Sequence, residues 1–88
     1  MAANEPLFLR VVNRNGIVYQ GSVGAVTSRN KKGQFDEVNQ HTNFISLLNG
    51  PLKIHQPDGN VVEVAAENGI MKVLNNTISV YLGVKSGL

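Results

Sequence analysis

Short apolar runs with a period of two, cut by turn residues, fill the chain from Leu7 to Val84. Leu7-Phe8-Leu9-Arg10-Val11-Val12 is β-branched and aromatic and predicts a strand. Asn13-Arg14-Asn15-Gly16 follows, and Asn15-Gly16 is the dipeptide that favours the left-handed conformations of a tight hairpin. Ile17, Tyr19, Gly21 and Val23 then alternate with Val18, Gln20 and Ser22, and the strand continues from Gly24 to Ser28 with a bend expected at Gly24. Arg29-Asn30-Lys31-Lys32-Gly33 reads as a charged turn, Gln34 to Val38 as a short element without clear pattern, and Asn39 to Asn43 as a polar loop.

Phe44-Ile45-Ser46-Leu47-Leu48 is apolar on both faces, which predicts a strand buried on both sides. Turns follow at Asn49-Gly50-Pro51, at Gln56-Pro57-Asp58-Gly59, at Asn68-Gly69 and at Asn75-Asn76. Between them Leu52 to His55, Val61 to Ala66, Ile70 to Leu74 and Ile78 to Val84 predict strands. Apolar residues nowhere recur at helical spacing over a useful length. The prediction is an all-β protein: a flattened antiparallel sandwich of two sheets and about ten short strands. Its expected core includes Ile45, Leu47, Val61 or Val62, Val80 and Leu82.

Composition narrows the function. Eighty-eight residues make one domain, with no cysteine for a disulfide or a thiolate site and no tryptophan. Eight Lys and Arg stand against six Asp and Glu, a net charge of +2, too weak a field to argue for nucleic acid. The first residues lack the basic and apolar regions of a signal peptide, and no apolar run approaches the ~20 residues a membrane helix needs. Asn75-Asn76-Thr77 matches a glycosylation sequon but reads as a turn, and the expected compartment is the cytoplasm.

Catalytic chemistry finds little purchase. His41, His55, Asp36, Asp58 and several serines are present, but no nucleophile elbow orders them. Metal binding by His41 and His55 with Asp36 or Glu37 has no characteristic spacing behind it. A histidine where a loop meets a strand more often ties the loop down. No glycine-rich phosphate loop occurs. The residues thus predict a non-enzymatic binding domain without cofactor or metal. Arg29, Lys31 and Lys32 form the one basic cluster, which reads either as a solvated turn or as an electrostatic contact.

One ordered series is more specific. Val11-Val12, a turn, Tyr19-Gln20-Gly21, Gly33, then His41, Phe44-Ile45 and Gly50-Pro51 resemble the N-terminal domain of the epsilon subunit of bacterial ATP synthase. Glu67 to Val73 resembles that family's paired-glycine turn and penultimate strand, and Thr77 to Leu82 its last strand. The sequence departs from the family's pattern at Asp36, Asn39 and Asn68, where Asn68 is expected to take positive φ in place of glycine.

The resemblance implies a sandwich over residues 7–84, after a flexible stretch at 1–6. Residues 85–88 would be a tail where the family continues into a helical hairpin. That ending would mean either a shortened piece or a natural short form. The implied role is non-catalytic: a central-stalk subunit that binds the gamma subunit and the c-ring and so couples proton transport to ATP synthesis. Such a subunit lies on the cytoplasmic side, peripheral to the membrane, without inserting into it. Nucleotide binding in the family belongs to the helical hairpin, so none is expected of this domain. Carried over by position, the implied contact residues are Asn13, Arg14, Arg29, Lys31, Lys32, Gly33, Gln34 and His41. Read from the residues alone, a free-standing β-sandwich adaptor or ligand-binding module stays open, because any sandwich needs these apolar strands.

Overall fold

The computed structural model describes residues 7–37 and 43–83. Among them lie nine strands: β1 (Leu7–Asn13), β2 (Gly16–Val23), β3 (Ala25–Asn30), β4 (Gly33–Glu37), β5 (Phe44–Leu48), β6 (Leu52–His55), β7 (Val61–Val64), β8 (Gly69–Leu74) and β9 (Thr77–Tyr81). They form a five-stranded sheet in the order β2-β1-β9-β8-β5 and a four-stranded sheet in the order β4-β3-β6-β7. All pairings are antiparallel except β1 with β9, which run parallel side by side. The all-β sandwich that the alternation predicts is therefore the observed fold.

Local chemistry explains the joints. The strand expected to run through Gly24 does bend there: β2 belongs to one sheet and β3 to the other. The Gly24 amide donates to the His55 carbonyl at 2.7 Å, which pins the crossing. The β8–β9 hairpin turns through Asn75 (φ 51°) and Asn76 (φ 62°), the positive-φ pair that a two-residue turn requires. Asn68 is not among the residues with positive φ, so the β7–β8 turn closes without the left-handed conformation expected of it. Between β1 and β2 the register slips after Val11: Val11 faces Tyr19 and Val12 faces Ile17, leaving Val18 as a bulge.

The core lies between the sheets and is aliphatic. Leu7, Leu9 and Val11 from β1 meet Met71 and Val73 from β8 and Ile78 and Val80 from β9, with Val26, Leu52 and Ile54 supplied by the other sheet. Of the expected core residues, Val80 is buried, and Val62 and Leu82 pack against the core from partly buried positions. Ile45 and Leu47 are corrections, being 70% and 66% exposed, and Val61 is exposed as well. The cause is parity on β5. Leu48, Ser46 and Phe44 stand opposite Gly69, Met71 and Val73, the inward positions of β8, so Ile45 and Leu47 stand opposite Lys72 and Ile70 and face out. β5 is also an edge strand, so it is not enclosed as a doubly apolar strand would be in a central position.

Candidate interaction surface

The outer face of the five-stranded sheet is more apolar than a solvated sheet face should be. Cross-strand register places Ile17, Val12, Tyr81, Ile70 and Leu47 in one row across all five strands. Ile17 is 56% exposed and Tyr81 44%, while Val12 and Ile70 are half-buried among their neighbours. The next row reads Gln20, Arg10, Ser79, Lys72 and Ile45. Exposed Phe8 and Leu74 flank Thr77 in a third. An exposed apolar row of this length is the kind of surface that interaction sites use.

The outer face of the four-stranded sheet is different. Its rows read Thr27, Lys53, Glu63 and Ala25, His55, Val61. Opposite charges on Lys53 and Glu63 face each other across strands, the pairing a water-facing sheet favours. His55 Nε2 lies 2.9 Å from Thr27 Oγ1, so the histidine joins β6 to β3. Among the described residues no cluster of His, Asp or Glu is arranged to hold a metal ion.

Of the residues picked out by sequence, Arg29 ends up on β3, Lys31 and Lys32 form the turn, and Gly33 and Gln34 open β4. Gly33 has φ 123°, so the chain reverses at a conformation that favours glycine. The turn is fixed to the neighbouring sheet. Asn30 Nδ2 donates to Ser46 Oγ on β5 at 3.1 Å, its Oδ1 accepts from the Lys32 amide at 2.9 Å, and the Asn49 amide donates to the Arg29 carbonyl at 2.9 Å. The Arg29 side chain runs over Gly50, where an added Cβ would sit 2.8 Å from Arg29 Cδ. Lys31 and Lys32 thereby share a depression of about 420 Å³ with Phe44, Ile45 and Leu47, joining the basic turn to the apolar edge.

Asn13 and Arg14 lie elsewhere. Asn13 Oδ1 accepts from the Asn15 amide at 2.8 Å within the β1–β2 hairpin, and that hairpin occupies the edge of the sheet opposite β5. His41 falls outside the described residues. Sequence reasoning missed the apolar row and the bracing role of Asn30. The signal for the first was the run Phe44–Leu48, whose second apolar face is left uncovered by the described residues.

Comparison with known proteins places the chain in a family. The chain is 34% identical over 70 residues to the ATP synthase epsilon chain of a Sulfurovum species, covering 78% of this chain and 55% of that one. It is 32% identical over 73 residues to the ATP synthase epsilon chain of a Nitratiruptor species, covering 82% and 57%. The chain thus spans little more than half the length of these curated relatives. In fold it resembles a chain of the Euglena gracilis mitochondrial ATP synthase, from a cryo-EM structure of OSCP, F1 and c-ring. The TM-score is 0.80 at 18% identity, covering 88% of this chain and 50% of that one. A chain from the central stalk and c-ring of the Tetrahymena thermophila mitochondrial ATP synthase gives a TM-score of 0.68 at 14% identity, covering 85% and 61%. Residues 6–83 match the family described as the β-sandwich domain of the ATP synthase delta/epsilon chain, and with that span and these relatives the chain belongs to that family.

Proposed function

We propose that this domain is a non-catalytic part of the rotor of a proton-translocating ATP synthase. In this reading the outer face of the five-stranded sheet holds the gamma subunit, and the basic turn of Lys31 and Lys32 meets the c-ring. The apolar row from Ile17 to Leu47 carries the reading, because among the described residues it is the longest exposed apolar row. A close-packed sandwich transmits torque without a hinge, and the two sheets here share one aliphatic core. The turn projects two cations from a braced base, and each cation near an anionic membrane surface contributes about 1 kcal/mol within a Debye length of about 8–10 Å. His41 and the pair Asn13 and Arg14 would serve at the margins of these contacts. The domain would work on the cytoplasmic side, held at the membrane through the assembled complex. Among the described residues no helix is long and apolar enough to cross a membrane.

Co-expression with the gamma subunit and c-ring of the same organism tests the reading. The unaltered chain is expected to co-purify with gamma, and Leu47→Asp to be lost from the complex while melting as before. Replacing Arg29, Lys31 and Lys32 together by Ser is expected to retain gamma but weaken ring assembly in a salt-dependent way. Recovery of Leu47→Asp at full yield with gamma would contradict the assignment of the face.

A further inference from the structure

The middle row of the docking face carries a charge pattern with a consequence for the partner. Arg10 and Lys72 stand on either side of Ser79, on β1, β8 and β9, with register pairs Arg10–Ser79 and Lys72–Ser79. Two strand spacings separate their backbones, roughly 10 Å. No outward position of this sheet carries an Asp or Glu. Among the described residues, the acids lie on β4, on β7 and in the turns at Asp58 and Glu67. The face is thus cationic at its centre and apolar along the rows beside it.

Resting on the proposed function, we infer that the partner surface presents a carboxylate, an Asp or Glu side chain, into the gap between Arg10 and Lys72 above Ser79. An interface that covers Tyr81 and Leu47 in one row and Ile45 at the end of the next also takes Arg10 and Lys72 out of water. Desolvated cations without a counter-charge are costly, so a partner uniformly apolar at this point would bind poorly. The surface is recessed on either side of Ser79. A recess of about 120 Å³ opens between Arg10 and Tyr81, and another of about 310 Å³ between Lys72 and Thr77, with Ser79 lining both. The Arg10 guanidinium can grip a carboxylate with two parallel N–H donors, Lys72 adds a compact charge, and the Ser79 hydroxyl can donate from the floor. A second copy of the chain does not fit. Such a face carries no acidic residue on its strands, so a two-fold pairing of two copies would leave Arg10 and Lys72 without a counter-charge.

The test measures binding of the full chain to the gamma subunit of the same organism at several salt concentrations. Arg10→Gln with Lys72→Gln is expected to weaken binding at least tenfold and to flatten its salt dependence. Arg10→Glu with Lys72→Glu is expected to weaken it by a further tenfold or more. Lys53→Glu, on the opposite sheet, is expected to have little effect. All these positions are exposed, so unchanged melting is expected, and the single variants Arg10→Gln and Lys72→Gln serve if a double variant unfolds. Charge-reversed chain binding as tightly as the unaltered chain, while Leu47→Asp still fails to bind, would overturn the carboxylate and leave the docking face standing. Failure of the unaltered chain to bind gamma would overturn both.

Discussion

At the scale of single residues, the position of the basic turn depends on Gly50. This glycine is buried beneath the stem of Arg29, and a methyl group there would meet Arg29 Cδ at 2.8 Å and Cβ at 3.0 Å. The Cδ contact could be relieved by rotating a flexible chain, but the Cβ contact is tied to strand β3. Gly50→Ala is therefore expected to destabilise the domain by about 1 kcal/mol, and by markedly less in an Arg29→Gly background, which removes the Cβ together with the rest of the side chain. Denaturant unfolding of the two single variants and the double variant measures the coupling, and additive losses would separate the two residues. Sequence marked Arg29 as a cation and Gly50 as a turn residue. It could not show that one lies on the other, because their contact joins β3 to the connection between β5 and β6, which only the fold brings together. Asn75 and Asn76 were legible for a local reason: asparagine tolerates positive φ, and both adopt it. Asn75→Val is accordingly expected to lower stability by about 1–2 kcal/mol, whereas Asn75→Gly should be close to neutral, as thermal melting can check.

At the scale of elements, β5 is where the reading from sequence and the structure part. Its inward residues are Phe44, Ser46 and Leu48, so the larger aliphatic pair, Ile45 and Leu47, goes outside. A strand's parity is set by which neighbour it pairs with and in what register, and a one-residue slip would exchange the faces. A pattern apolar on both sides leaves that choice undecided, whereas on β1 the cation Arg10 between Leu9 and Val11 decides it. The consequence is measurable in the isolated domain. Ile78→Ala or Leu9→Ala, both at fully buried positions, is expected to cost about 2–4 kcal/mol. Ile45→Ala and Leu47→Ala should change stability by less than about 0.5 kcal/mol. Large losses at Ile45 and Leu47 would mean that something in the chain itself covers the face.

At the scale of the whole molecule, the two sheets divide the work. One turns a charged and paired surface to water through Lys53, Glu63 and the Thr27–His55 contact; the other presents an apolar row with cations at its centre. The all-β class and the family were legible because turn chemistry and strand spacing are local and ordered along the chain. The apolar face was not, since it draws one or more residues from each of five strands and exists only once their register is set. The chain contains no cysteine, so single cysteines can be introduced without interference. The most direct test places one each at Leu47, Ser79, Lys53 and Glu63 and measures cross-linking of each to the gamma subunit in the assembled complex. Cross-links from Leu47 and Ser79 with none from Lys53 or Glu63 are expected; the reverse pattern would contradict docking through the five-stranded sheet.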